Sequence, residues 1–107
     1  MTAKPITPEA AARLIADGAL LVDIREAQEC AEVIEGAQNA PMSSGATGIE
    51  ASPGQPVIFH CRTGRRTEMN AEALAASVPT DEVYLLQGGI EGWQAAGLPV
   101  SPINDRS

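Results

Sequence analysis

Hydrophobic residues make up most of three short runs, at residues 20–24, 57–60 and 83–86, in which Asp23 and His60 are the polar members; each run is followed by polar or glycine-rich positions. Runs of this length between turn residues are typical of buried β-strands. Apolar residues at helical spacing follow at residues 69–76 and 90–96. The alternation predicts an α/β protein with a mainly parallel sheet covered by helices on both faces.

The first helix has recognisable ends. Thr7 offers a capping hydroxyl, Pro8 needs no hydrogen-bonded N–H in the first turn, and Glu9 adds a favourable negative charge. This pattern predicts a helix that continues to residue 16 and stops at Gly18. In the same way, Gly97 should end the last helix.

Acidic residues recur at every third position in the segment that follows the first predicted strand: Asp23, Glu26, Glu29, Glu32 and Glu35. This spacing indicates the solvated face of a helix. We except Asp23 and Glu26, because they lie at a strand end, where sites of parallel sheets are built. Residues 37–42 should be extended, and residues 43–56 should form a loop or a single helical turn.

Length and composition indicate one globular domain. The chain has 107 residues, of which 44% are apolar, and we expect a core over about 5–100 with a tail at 101–107. A net charge of −7 argues against nucleic acid and anionic membranes as partners. No apolar run approaches the roughly 20 residues of a membrane span. This chain could still belong to a longer parent protein that is anchored in a membrane.

Two cysteines are too few for a disulfide framework or a thiolate zinc site, so we expect no metal and a reducing cytoplasmic setting. Cys61 differs from Cys30 because it stands between a strand and a helix, with three arginines close behind. The helix terminus, the loop N–H groups and these arginines should all favour a reactive thiolate near neutral pH. Gly64 should let the loop curl tightly. A buried structural thiol needs no such arginines.

The residues around Cys61 resemble a known family. The run Cys61-Arg62-Thr63-Gly64-Arg65-Arg66-Thr67 is similar to the Cys-x-x-Gly-x-Arg-Ser/Thr loop of rhodanese domains. Three further blocks resemble their motifs: Val22-Asp23-Ile24-Arg25-Glu26, then Glu35-Gly36-Ala37 with Asn39 and Pro41, then Gln87-Gly88-Gly89 with Gly92-Trp93. Residues 58–61 and 93–100 are most similar to the rhodanese domain of a bacterial inner-membrane sulfurtransferase. The resemblance implies a three-layer fold with a central, mainly parallel five-stranded sheet.

The resemblance also implies an activity, thiosulfate sulfurtransferase. Cys61 would take a sulfane sulfur from thiosulfate or a persulfide, hold it as a covalent persulfide without a cofactor, and pass it to a thiol or cyanide. Residues 62–67 would form the cradle, with Arg62 and Arg65 attracting the small anionic donor. Arg66 would turn inward to pair with Asp23 or Glu26, and Arg25 would close a second ion pair.

Three other residues are expected to be structural. His60 should be a strand residue with a hydrogen-bonded ring, Trp93 should pack the last helix onto the sheet, and Cys30 should fill a core position.

Two other functions stay open at this stage. One is a sulfur carrier, or a module that accepts nitrosyl groups on Cys61, acting for a partner. The other is an arsenate reductase or phosphatase of related architecture. Phosphatase loops place five residues between cysteine and arginine, whereas Arg66 follows Cys61 after only four and Thr67 stands at the phosphatase position. The shorter ring should fit one sulfur atom better than a phosphoryl group.

Overall fold

The computed structural model describes residues 3–102. The expected C-terminal tail is divided by this limit: Ser101 and Pro102 form a strand, whereas residues 103–107 lie outside the described part of the chain.

Residues 3–102 contain four α-helices and seven strands. The helices are α1 (Pro8–Ala16), α2 (Arg65–Met69), α3 (Ala71–Ala76) and α4 (Gly89–Ala95). The strands are β1 (Lys4–Ile6), β2 (Leu20–Asp23), β3 (Glu32–Val33), β4 (Gln38–Asn39), β5 (Val57–His60), β6 (Val83–Leu86) and β7 (Ser101–Pro102). Single 3₁₀ turns occupy Ala27–Glu29 and Met42–Ser44. The three strands and the first helix therefore form close to where the hydrophobic pattern predicts them.

Five strands form one parallel sheet in the order β1-β6-β5-β2-β4, and β3 pairs with β7 in a separate antiparallel ribbon. Neighbouring residues of β5 belong to different cores, because strand side chains alternate between faces. Phe59 packs in the cluster that contains Leu74 of α3. Ile58 packs with Ala11 of α1 and Trp93 of α4. Helices thus cover both faces, and Trp93 packs its helix onto the sheet as predicted.

The acidic stripe does not lie on a helix, so that part of the prediction is wrong, although Glu29, Glu32 and Glu35 are exposed as expected. Asp23 ends β2, Glu26 precedes the 3₁₀ turn that contains Glu29, Glu32 lies on β3, and Glu35 lies in a turn after it. Three of its carboxylates bind partners in different directions: Glu26 accepts from Ser43, Glu29 from Arg66 and Glu32 from Gln94. Hydrogen bonds to residues distant in sequence, rather than the face of a helix, account for where these carboxylates lie.

The helix that follows Cys61 is also not continuous. Asn70 separates α2 from α3 with a φ of −115°, and its side-chain amide donates to the Arg66 carbonyl at 2.8 Å. Met69 is 75% exposed and does not join the buried face that its spacing indicates. The pattern also missed β1, an edge strand of three residues with a proline at its centre. Within residues 3–102, no helix has the length and apolarity needed to cross a membrane.

Candidate active site

The candidate site lies at the carboxyl end of the parallel sheet. Asp23 ends β2 and stands in register with His60, which ends β5. Cys61 follows directly and is only 1% exposed. Because parallel strands end at one edge, the sheet brings the strand-end residues and the cysteine loop together.

The loop curls back so that a backbone donor meets the sulfur. The N–H of Gly64 donates to Cys61 Sγ at 3.2 Å. Gly64 has a φ of +93°, and a Cβ there would lie 3.2 Å from the Gly88 nitrogen, so position 64 favours glycine for both reasons. Buried Thr67 donates its hydroxyl to the Gly64 carbonyl at 2.9 Å and fixes the end of the curl.

The first turn of α4 holds the other side of the loop. The N–H of Ile90 donates to the Cys61 carbonyl at 2.9 Å, and that of Glu91 donates to the Arg62 carbonyl at 3.1 Å. In a trans peptide the C=O and the following N–H point in opposite directions. The N–H groups of Arg62 and Thr63 therefore point away from α4. They donate to no acceptor within residues 3–102 and are available to an anion.

Gly89 lets α4 come this close. A Cβ at that position would lie 2.5 Å from the Cys61 carbonyl oxygen and 2.6 Å from the Arg62 carbonyl carbon. Gly92 serves a different contact, since a Cβ there would lie 2.6 Å from the carbonyl oxygen of Gln87, in the turn that precedes α4. Gly88 and Gly89 of the closing motif seen in the sequence thus form the contact with the cysteine loop.

A buried ion pair supports the strand end. Both nitrogens Nε and Nη2 of Arg25 donate to Asp23, the shortest contact being 2.7 Å, and Nη2 also donates to the Glu32 carbonyl. Burial opposes the ionisation of Asp23, but the hydrogen bonds from Arg25 and the neighbouring positive charge outweigh it, so the pKa of Asp23 is lowered. Arg25 thus forms the ion pair expected for it.

Cys30 is buried beside this pair, as predicted for a core position. Its thiol lies 3.4 Å from the Glu26 carbonyl oxygen and 3.7 Å from Asp23 Oδ2. Burial raises the pKa of Cys30, and the charge of Asp23 acts in the same direction. The two cysteines therefore differ in setting: carboxylate oxygen faces Cys30, whereas an N–H group faces Cys61.

Arg66 does not pair with Asp23 or Glu26, so this part of the interpretation is wrong. Asp23 is already occupied by Arg25, and Glu26 accepts from both the backbone and the hydroxyl of Ser43. Arg66 instead forms a bidentate pair with Glu29, at 2.5 and 3.1 Å. It still connects the loop helix α2 to the segment after β2.

The remaining loop residues face solvent. Arg62 Nε contacts Glu91 at 3.1 Å, with the two side chains 66% and 56% exposed. Thr63 and Arg65 are exposed, and Arg65 makes no salt bridge within the described part of the chain. Among residues 3–102, no group of three or more His, Cys, Asp or Glu side chains could hold a metal ion.

Sequence reasoning missed the residues that support the Cys61 loop from other parts of the chain. Glu29 belongs to the stripe assigned to solvent, and Glu91 and Ile90 belong to a helix treated only as packing. The one available signal for α4 was the glycine motif at residues 88, 89 and 92.

Comparison with known proteins gives a consistent family. The profile of the Rhodanese-like domain matches residues 7–96. The chain is 37% identical over 98 residues to the thiosulfate sulfurtransferase GlpE of Actinobacillus succinogenes, covering 89% of this chain and 87% of the relative. It is 36% identical over 94 residues to GlpE of Ectopseudomonas mendocina, covering 86% and 85% of the two chains.

Solved structures agree in fold. A rhodanese-related protein from Thermoplasma volcanium superposes with a TM-score of 0.76 at 23% identity, covering 91% of this chain and 96% of that one. A protein of unknown function from Rhodopseudomonas palustris, described as a possible tyrosine phosphatase, has a TM-score of 0.74 at 24% identity, covering 92% and 85%. The three-layer fold with a five-stranded parallel sheet is thereby confirmed. Similarity at this level of identity does not distinguish sulfur transfer from phosphatase activity.

Proposed function

The chain belongs to the Rhodanese-like domain family, and from that premise we propose that it is a thiosulfate sulfurtransferase whose Cys61 carries sulfur as a persulfide. The relatives named thiosulfate sulfurtransferase match most of the chain. Their activity agrees with the chemistry that the Cys61 loop offers.

One observation carries the proposal: a backbone N–H of the loop donates to the Cys61 sulfur, and two further N–H groups of the same loop have no acceptor within residues 3–102. The N–H of Gly64 lies 3.2 Å from the sulfur. The N–H groups of Arg62 and Thr63 point away from α4 and have no acceptor within residues 3–102. Pre-positioned N–H groups stabilise an anion strongly in a site from which water is largely excluded. A terminal persulfide sulfur is such an anion.

The reaction would proceed in two steps. The Cys61 thiolate attacks the outer sulfur of thiosulfate; a new S–S bond forms, the old one breaks, and sulfite leaves with the electron pair. The Cys61 persulfide anion is then attacked at its outer sulfur by cyanide or a thiolate. Thiocyanate or a new persulfide leaves, and the Cys61 thiolate is restored. No cofactor enters this balance.

The arginines divide between attraction and support. Arg65 is exposed and is the cation best placed to draw an anionic donor to the loop. Arg62 shares its charge with Glu91. Arg66, held by Glu29, serves to connect α2 to the segment after β2.

The same pairing disfavours phosphoryl chemistry. A phosphatase of the cysteine type needs an arginine in its loop to bind phosphate oxygens. The candidate here, Arg66, follows after four residues and has its guanidinium engaged by the Glu29 carboxylate. Bidentate guanidinium pairs of this kind leave fewer donors for a second anion.

Intact-mass analysis tests the proposal. After thiosulfate treatment and desalting, the protein should gain one sulfur atom, roughly 32 Da, which cyanide then removes. Cys61→Ser should gain nothing and lose sulfur transfer while remaining folded. Cys30→Ser is the matched control and should keep most of the activity, because its thiol faces Asp23 and not the loop donors.

Three results would contradict the proposal. Equal loss of activity in both folded cysteine variants would indicate a redox pair. Ready hydrolysis of an aryl phosphate without any gain of sulfur would replace sulfur transfer with phosphatase activity. A stable gain of sulfur on Cys61, with turnover to thiocyanate too slow to be enzymatic, would instead identify a carrier that delivers sulfur to a protein partner.

A further inference from the structure

The ring of His60 contacts the peptide unit that carries the nucleophile. His60 is 0% exposed, and its Nδ1 lies 3.1 Å from the Cys61 carbonyl oxygen. Its Nε2 is buried and has no hydrogen-bond partner among residues 3–102; Asp23 Oδ2 lies 3.8 Å from it. The proposed persulfide mechanism needs no general base and gives His60 no role in the reaction.

The hydrogen-bonding pattern determines which nitrogen holds the proton. A carbonyl oxygen can only accept, so Nδ1 must be the protonated nitrogen. Burial disfavours the cation and lowers the pKa of His60, although Asp23 opposes this change. Asp23 is already bound by Arg25 and does not require a proton from Nε2. The ring is therefore a neutral imidazole with its single N–H directed at the Cys61 carbonyl.

That carbonyl consequently accepts two hydrogen bonds, one from His60 Nδ1 and one from the Ile90 N–H at 2.9 Å. Both lone pairs of the oxygen are used. Hydrogen bonds at the carbonyl end polarise the peptide and make its N–H a stronger donor. The N–H of this peptide belongs to Arg62 and points away from α4, on the side that remains free of protein acceptors.

We propose that His60 is a positioning residue for sulfur transfer: its Nδ1–H orients and polarises the Cys61–Arg62 peptide, so that the Arg62 N–H holds the persulfide anion. This role rests on the proposed function and adds no chemical step. It acts through one peptide unit, without contact between the imidazole and the sulfur.

Two substitutions separate the role from simple packing. In His60→Asn the side-chain amide nitrogen stands near the place of Nδ1 and can still donate to the Cys61 carbonyl. In His60→Leu the volume is largely kept and the donor is lost. Loss of a direct donor to a reacting anion costs about a hundredfold or more in kcat, so loss of polarisation through one peptide should cost less, about tenfold.

The expected result is a split between kinetic constants. His60→Leu should lower kcat for thiosulfate:cyanide transfer about tenfold with little change in KM, because the exposed arginines that attract the donor are untouched. His60→Asn should recover most of kcat. In ¹⁵N-labelled protein, the Arg62 amide proton should move upfield in His60→Leu and stay near its wild-type position in His60→Asn. If His60→Leu does not fold, His60→Gln replaces it, since its amide extends past the Nδ1 position.

Leu21→Ala is the stability control, since it removes a buried side chain of β2 that packs in the cluster on the opposite side from Cys61. It should lower stability and leave both kcat per folded molecule and the Arg62 amide proton unchanged. The role of His60 is overturned if His60→Leu keeps wild-type kcat, or if His60→Asn loses as much as His60→Leu. In either case wild-type protein would still gain sulfur, so the proposed function would stand separately; failure of wild-type protein to gain sulfur contradicts the function itself.

Discussion

Individual side chains around Cys61 divide into those that hold the loop and those that face solvent. Asp23, Arg25 and Thr67 are buried and use their polar atoms on neighbouring protein groups. Arg62 and Arg65 are exposed. Residues of one charge type therefore have opposite roles, and the difference is burial, which removes water as an alternative partner and makes each missing hydrogen bond costly.

The Asp23–Arg25 pair should be among the most sensitive contacts in the molecule. Asp23→Asn removes the negative charge and leaves the Arg25 guanidinium buried without compensation, so we expect a loss of about 3–5 kcal/mol in the free energy of unfolding. Urea denaturation at neutral pH measures it. Glu29→Gln, which breaks the partly exposed pair with Arg66, should cost less than about 1 kcal/mol. Similar losses in the two variants would refute this ranking.

At the scale of elements, the site is a joint between the β5–α2 loop and the start of α4. The loop supplies carbonyls that α4 binds through its first N–H groups, and α4 supplies donors that the loop would otherwise lack. Each element thus satisfies the other's unpaired backbone groups. The position of the loop N–H groups depends on this mutual fit more than on any single side chain.

Gly89→Ala should break the joint. Its Cβ would lie 2.5 Å from the Cys61 carbonyl oxygen, and the residue has a φ of +60°. Backbone must move on one side, so we expect a loss of about 3 kcal/mol or more in stability and near-complete loss of sulfur transfer in the protein that remains folded. Thermal unfolding and the cyanide assay measure both.

Gly97→Ala is the matched control for this prediction. Gly97 also has a positive φ, of +81°, but a Cβ there would meet no atom within 4 Å. It should cost about 1 kcal/mol from backbone strain and leave activity per folded molecule intact. Comparable losses of activity in the two variants would show that contact with the loop is not the cause.

At the scale of the whole molecule, acidic residues outnumber basic ones, 14 to 7, and one histidine is buried in the core. The surface charges mostly meet water, where pairs contribute little to stability. The buried His60 is different, because the folded protein resists its protonation and the unfolded chain does not.

Stability should therefore depend on pH in a defined window. The pKa of His60 is lowered in the folded protein by burial, against the attraction of Asp23 and with the repulsion of Arg25. The unfolded chain takes up the proton near the ordinary value of 6.5. Above that pH, the free energy of unfolding should therefore not be reduced by His60 protonation. Below it, the free energy should fall by up to about 1.4 kcal/mol per pH unit.

Urea titrations between pH 8 and pH 5 measure this slope. His60→Asn should flatten it, since no other histidine is present. Asp23 and Glu29 have lowered pKa values, so their contributions persist down to their ordinary values, 3.8 and 4.5, and are lost only in more acid solution. An unchanged slope in His60→Asn would assign the effect to another group.

The amino-acid sequence by itself determined the elements whose signals are local. The strands β2, β5 and β6 are mainly apolar runs, with Asp23 and His60 at the ends of the first two. Helix α1 has a capping threonine whose hydroxyl does accept from Ala10, and the Cys61 loop is a compact motif. Such features depend on residues a few positions apart, so the order of residues is enough to predict them.

Only the tertiary structure decided which charges pair and which elements meet. Arg66 reaches Glu29, 37 positions away, and α4 binds carbonyls of the cysteine loop. The acidic stripe is drawn to several separate partners, and the edge strand β1 exists because β6 pairs with it. These outcomes depend on competition for each partner in space. Asp23 already pairs with Arg25, and the local sequence does not show which partner wins.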